Sequence, residues 1–280
     1  MGGRIPAGSR YVALGSSFAS GPGNDPIIDP ECSRSGSNYP HLVAAALDLT
    51  LTDVTCGGAT IDDILTPGRR RPPQIDVVGP DTSLVTVTVG GNDSQYVPQL
   101  IRTVYQHEPT PLDAALVDVP KDIQQLVRPM LCAPVTDEDR AATQAALDGL
   151  AAHLIEMIVE IRRRAPHSRV LVVDYLTILP KSTKDASALP ISNASLSYFL
   201  DVAAQLTMIT TYAAQQGCAE IVAASSISHD HHACAAIPWV FGFEFGNILA
   251  GGGKAFHPNG PGMAAVADLV TNHLSQPIDS

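Results

Sequence analysis

The chain has 280 residues, 45% hydrophobic and 16% charged, which suits a globular enzyme with a sizeable core. Its formal net charge of −11 disfavours nucleic acid and anionic lipid as partners. No window reaches the roughly 18 apolar residues of an integral membrane span, and "MGGRIPAGSR" lacks the apolar segment of a secretory signal, leaving a cytoplasmic chain or a processed, secreted one.

In chain order, "YVALGS" (11–16) is a short apolar run closed by small residues and predicts a strand. "NYPHLVAAALDL" (38–49) sets Leu42, Ala45, Ala46 and Leu49 at helical spacing. "LTDVTC" (51–56) predicts a strand ending before Gly57-Gly58. Arg69-Arg70-Arg71, between Pro67-Gly68 and Pro72-Pro73, reads as a solvated loop. "SLVTVTVGG" (83–91) is β-branched and ends in two glycines. Over 141–164, Leu147, Leu150, Leu154, Ile158 and Ile161 form one stripe, and Arg162-Arg163-Arg164 favour a helix C-terminus. "RVLVVDY" (169–175) and "EIVAAS" (220–225) predict strands, 195–215 a helix, and the residues after Pro261 a last helix with Met263, Val266, Val270 and Leu274 buried. Apolar strands without polar alternation, separated by helices, imply parallel pairing buried on both faces. The expected fold is a single α/β domain over 1–280, three layers with a central parallel sheet of about five strands. Segments 94–140 and 226–256 resist assignment and are the candidate pocket walls, since ligands of open α/β sheets bind beyond the carboxyl ends of strands.

Chemistry gathers at those ends. Gly15-Ser16-Ser17 follows the first strand, Gly57-Gly58 the second and Gly90-Gly91-Asn92-Asp93 the third, while His257 precedes the last helix. Each alone is an ordinary turn or loop feature. Together they supply a hydroxyl, an unobstructed backbone amide, a carboxamide and an imidazole, the inventory of acyl transfer.

In this combination the chain resembles the SGNH (GDSL-type) hydrolases, named for Ser, Gly, Asn and His in four blocks. "ALGSSFASGPG", "TCGGATIDDIL", "VTVGGNDS" and "FHPNGPGM" resemble the blocks in order, covering 11–263. "HDHHACAAIPWV" (229–240) is similar to the secreted lipase-like branch of actinobacteria and fungi. The resemblance implies a flavodoxin-like α/β/α fold and a carboxylic ester hydrolase, an esterase or lipase working through an acyl-enzyme, with no cofactor or metal. Its partner would be a small acyl-ester substrate, and a monomer is expected. Carried over, it makes Ser17 the nucleophile and His257 the base, with the Ser17 amide, the Gly58 amide and Asn92 as oxyanion donors. It further implies a Cys32–Cys56 disulfide; a second bridge among Cys132, Cys218 and Cys234 is left open, with Cys132–Cys234 the favoured pairing.

Two positions depart from the family pattern. Ser16 stands where its Asp precedes the nucleophile. Lys254 stands where an Asp usually orients the histidine, and an ammonium cannot accept a proton. A backbone carbonyl near Lys254, giving a Ser-His dyad, is the expected substitute; Asp230 is the alternative, and an impaired enzyme the third. Rival readings are a carbohydrate O-deacetylase, a thioesterase and a non-catalytic binding module. The 5% aromatic content, with Trp239 the one tryptophan, disfavours a long sugar platform. His229-Asp230-His231-His232 reads as a polar loop in preference to a metal site.

Overall fold

The computed structural model describes residues 5–68, 71–107, 119–125, 133–182, 186, 189–243 and 254–276. In chain order the elements are β1 (Arg10–Gly15), α1 (Ser17–Ser20), β2 (Ile27–Asp29), β3 (Arg34–Ser35), α2 (Tyr39–Leu47), β4 (Thr50–Asp53), α3 (Ile61–Leu65), β5 (Thr82–Thr88) and α4 (Tyr96–His107). Then come α5 (Asp137–Arg164), β6 (Arg169–Val173), α6 (Asn193–Gln216), β7 (Glu220–Val222), α7 (Ala224–Ile227) and α8 (Gly260–Ser275). Five strands pair in parallel in the order β4-β1-β5-β6-β7. This is the doubly wound, flavodoxin-like order, which reverses direction at β1. β2 and β3 form a separate antiparallel hairpin.

The three inner strands are buried along almost their whole length, as their unbroken apolar runs require. α2 packs against α8, and α5 against α6. The stripe Leu147, Leu150, Leu154, Ile158 and Ile161 of α5 is buried, and so are Met263, Val266, Val270 and Leu274 of α8. α5 starts four residues before its predicted position. Thr136 and Asp139 form a reciprocal capping box there, and Asp137, Glu138 and Asp139 face the helix dipole.

Of the unassigned stretch 94–140, residues 96–107 are helix α4, while 108–118 and 126–132 lie outside the described residues. Within 226–256 the described chain is the end of α7 followed by turns, with Val240 bridged to Pro258; 244–253 lies outside the described residues. Among the described residues, no helix is long and apolar enough to cross a membrane.

Candidate active site

β1 delivers its last residue against β5. The Ser16 amide donates to the Thr88 carbonyl at 2.9 Å, and the Cys56 amide to the Gly15 carbonyl at 3.0 Å. Gly15 has φ +131°, and a Cβ there would collide with the Thr88 backbone, so only glycine lets the chain turn so close to β5. Gln74, buried, clamps the same peptide from outside: its Oε1 accepts from the Gly15 amide at 2.7 Å, and its Nε2 donates to the Gly15 carbonyl at 3.1 Å. The turn places Ser17 first in α1, where the amide has no partner within the helix.

Ser17 Oγ lies 2.8 Å from His257 Nε2, and both side chains are buried. His257 Nδ1 lies 2.9 Å from the Ala255 carbonyl oxygen. A carbonyl only accepts, so Nδ1 carries the ring proton and Nε2 presents a lone pair to the serine. Burial pushes the imidazole pKa down to about 4, with hydrogen bonds to the Ala255 and Lys254 backbone acting in the opposite direction. The ring is neutral at pH 7 and can take a proton.

The carbonyl on Nδ1 is that of Ala255, the residue after Lys254. The Lys254 carbonyl accepts the His257 backbone amide at 3.0 Å, closing a turn in which Phe256 adopts φ +63°. That turn swings the Ala255 carbonyl under the ring. The Lys254 ammonium sits over the Phe241 ring, 5.0 Å from its centroid. Asp230, the alternative partner, is 82% exposed and pairs with His229 at 3.0 Å; Nδ1 is already occupied. A carbonyl leaves no side-chain signature, so nothing in the sequence pointed to Ala255.

Near the serine, the amides of Ser17 and Gly58 have no acceptor among the described residues. Gly58 has φ +82°, a conformation that favours glycine, in a turn with open space beside its Cα. Asn92 Nδ2 donates to the Ala59 carbonyl at 2.9 Å, leaving its second N–H available. Asp93 Oδ1 accepts from the Ile61 amide at 3.1 Å. Neighbouring side chains therefore hold the chain on both sides of Thr60.

The cleft over Ser17 and His257 has a volume of about 430 Å³. Its α4 wall is Val97, Pro98, Ile101 and Arg102, and Pro22, Gly57, Gly58 and Asn92 complete it. Arg102 is engaged elsewhere, with the Pro134 carbonyl at 3.0 Å and Asp139 at 3.4 Å. Segment 94–140 thus supplies a wall of the cleft through α4, whereas none of the described lining comes from 226–256. A second cavity, about 480 Å³, shares Gly57 and Gly58 but contains neither Ser17 nor His257.

Cys32 and Cys56 are disulfide-bonded, and the Gly57 amide donates to the Cys32 carbonyl at 2.8 Å. The expected partner of Cys234, Cys132, lies outside the described residues. The histidines of 229–232 have local partners: His231 stacks on Trp239 at 3.9 Å with Nδ1 2.7 Å from the Ile237 carbonyl oxygen, and His232 Nδ1 accepts from the Cys234 amide. Among the described residues no three His, Cys, Asp or Glu side chains are grouped to hold a metal.

Comparison with known proteins matches residues 13–265 to the GDSL-like lipase/acylhydrolase family. Lipase 2 of Streptomyces coelicolor is 34% identical over 275 residues, covering 94% of this chain and 85% of the relative. Among solved structures, phospholipase A1 from Streptomyces albidoflavus NA297 superposes with a TM-score of 0.73 at 21% identity, covering 96% of this chain and all of the other. The extracellular lipase of Streptomyces rimosus gives 0.67 at 22%, with the same coverage. At these identities the structural likeness speaks for the fold.

Proposed function

The chain belongs to the GDSL-like lipase/acylhydrolase family and is a carboxylic ester hydrolase, and from that premise we propose that it works through an acyl-enzyme on Ser17 with His257 as its base. The observation that carries this reading is the unbroken line from Ser17 Oγ to His257 Nε2 at 2.8 Å and from Nδ1 to the Ala255 carbonyl at 2.9 Å.

In the proposed mechanism, Ser17 Oγ attacks the ester carbonyl carbon while its proton passes to Nε2. The carbonyl oxygen becomes an oxyanion among three donors: the Ser17 amide, the Gly58 amide and the second N–H of Asn92. Collapse of the tetrahedral species breaks the bond to the alkoxy oxygen, which leaves with the proton from Nε2. Water then attacks the acyl-enzyme, gives its proton to Nε2, and the acid departs as Ser17 is restored. The Ala255 carbonyl holds the tautomer throughout and faces the imidazolium with its negative end, the part a carboxylate plays in a triad.

We place the acyl group along α4, where Val97, Pro98 and Ile101 offer an apolar wall. Among the described residues of the cleft lining there is no Phe, Tyr or Trp.

The test is a p-nitrophenyl ester series run on the wild type, Ser17→Ala and Ser16→Ala, with a fluorophosphonate as covalent probe. Ser17→Ala is expected to lose several orders of magnitude in turnover, toward the residual ~10³–10⁴ over water that binding and oxyanion contacts supply, and to lose labelling. Ser16→Ala retains both. Near-normal turnover in Ser17→Ala would remove the serine from the mechanism.

A further inference from the structure

We propose that Tyr175 is a positioning residue, a latch that ties the turn carrying Ser17 to the turn carrying Asn92 so that the oxyanion donors converge on one point. The inference rests on the roles given above to Ser17, Gly58, Asn92 and His257.

Tyr175 lies just beyond the carboxyl end of β6, the strand beside β5 and next but one to β1. Its two ends touch different parts of the site. The hydroxyl accepts a hydrogen bond from the Gly91 amide at 2.8 Å. The ring packs against Phe18 with centroids 4.6 Å apart, and Phe18 packs against the His257 imidazole at 5.6 Å.

Phe18 immediately follows the proposed nucleophile, and Gly91 immediately precedes the carboxamide donor. One buried tyrosine therefore reaches both turns at a single residue's remove, the first by its ring and the second by its hydroxyl, and it backs the base through Phe18. The catalytic turns come from separate strands, β1 and β5, and a shift between them would move the Ser17 amide relative to Asn92. Donors aimed at the developing oxyanion lose their effect when they are displaced by about an ångström. The phenol is well suited to this. Burial raises its pKa to about 12, so it stays neutral, and a neutral hydroxyl can accept from the Gly91 amide.

The decisive variant is Tyr175→Phe, which keeps the ring against Phe18 and removes only the hydrogen bond to Gly91. On a short-chain p-nitrophenyl ester, kcat should fall roughly tenfold to thirtyfold, a part of the ~10²–10³ that a lost oxyanion donor costs. KM should stay within about twofold. The rate at which a fluorophosphonate labels Ser17 should fall by the same factor as kcat. Phe18→Leu, which loosens the ring contact and leaves Gly91 held, should cost about twofold to threefold in both readouts. A residue with a purely structural role would lower the melting temperature and leave kcat and the labelling rate alone. That result in Tyr175→Phe overturns the latch, as does a rise in KM at constant kcat. If Tyr175→Phe does not fold, Phe18→Leu tests the latch from its other end, and an unchanged labelling rate there overturns it. Wild-type protein that the probe does not label fails the Ser17 reading itself. A labelled wild type with an unaffected Tyr175→Phe fails the latch alone.

Discussion

A histidine oriented by a carbonyl has a dipole beneath it in place of a full negative charge, and two consequences follow at the residue scale. The first concerns Lys254. Its side chain points to Phe241 and its carbonyl holds the His257 backbone amide, so neither function needs the ammonium. Lys254→Ala should keep most activity. Lys254→Asp should gain no more than about tenfold, roughly 1.4 kcal/mol of barrier, because Nδ1 is already held. Steady-state kinetics on one ester decide this; a gain of about a thousandfold, on the scale of an Asp lost from an aligned triad, would show the ring to be unoriented in the native chain. The second concerns pH. His257 is held at about 4 by burial, against ~6.5 in an unfolded chain. The acid limb of kcat/KM should therefore fall near pH 4, with the rate at pH 5.5 within about twofold of that at pH 7.5. Stability moves in the same sense. Between those two values the unfolded chain binds the proton and the folded one does not, so this group destabilises the fold as pH drops through the window. An acid limb near 6.5 would contradict the buried, carbonyl-bound ring. Of the residues proposed for the site, Ser17, Asn92 and His257 could be named from the sequence because each would carry its chemistry in the side chain. Ala255 is placed by its backbone carbonyl, and Gln74 and Tyr175 make their contacts across long sequence separations that no local pattern records.

The strands illustrate what was legible at the element scale. β1, β5 and β6 stand within a residue of their predicted starts because a strand buried on both faces must be an unbroken apolar run. They end earlier than predicted, since Ser16, Val89-Gly90-Gly91 and Asp174-Tyr175 lie beyond the strands. α4 was not foreseen. The stretch around it mixes Pro98, Gln99 and Arg102 with apolar residues, because one face of the helix packs in the core and another lines the cleft. That double duty yields a prediction. Ile101→Trp should thrust an indole into the proposed acyl path. kcat/KM for an octanoate ester should drop by tenfold or more, within the ~10–200-fold that one methylene can decide in an apolar pocket, while an acetate ester changes less than about twofold. Equal losses on both esters would move the acyl chain off α4.

At the scale of the whole molecule, a parallel sheet puts all its carboxyl ends on one edge, which is why four short blocks scattered from residue 11 to 263 meet in one cleft. The strand order, β4-β1-β5-β6-β7, was not readable from the blocks, because parallel pairing leaves no mark of neighbour on neighbour. The sheet alone does not fix the second block. Gly57 and Gly58 lie beyond β4, an edge strand with a single neighbour, and they depend on ties from outside. One is the Cys32–Cys56 disulfide, backed by the Gly57 amide on the Cys32 carbonyl. Another is Asn92 on the Ala59 carbonyl, with Asp93 on the Ile61 amide. Reduction should therefore act on stability and on catalysis at once. The bridge closes a loop across a sequence separation of 24, and losing it should cost about 2–4 kcal/mol, or roughly 4–8 °C in melting temperature for a chain of this size. Because the Gly58 amide is proposed to face the oxyanion, kcat should fall as well, by roughly tenfold, less than the ~10²–10³ of a donor lost outright since Asn92 and Asp93 still hold the next residues. KM should change little, because the α4 wall is untouched. The comparison is between the native enzyme and Cys32→Ser/Cys56→Ser, assayed well below the melting temperature of either. A lowered melting temperature with unchanged kcat would show that the bridge only restrains the unfolded chain, and that the sheet edge and the Asn92-Asp93 ties hold the Gly58 amide unaided.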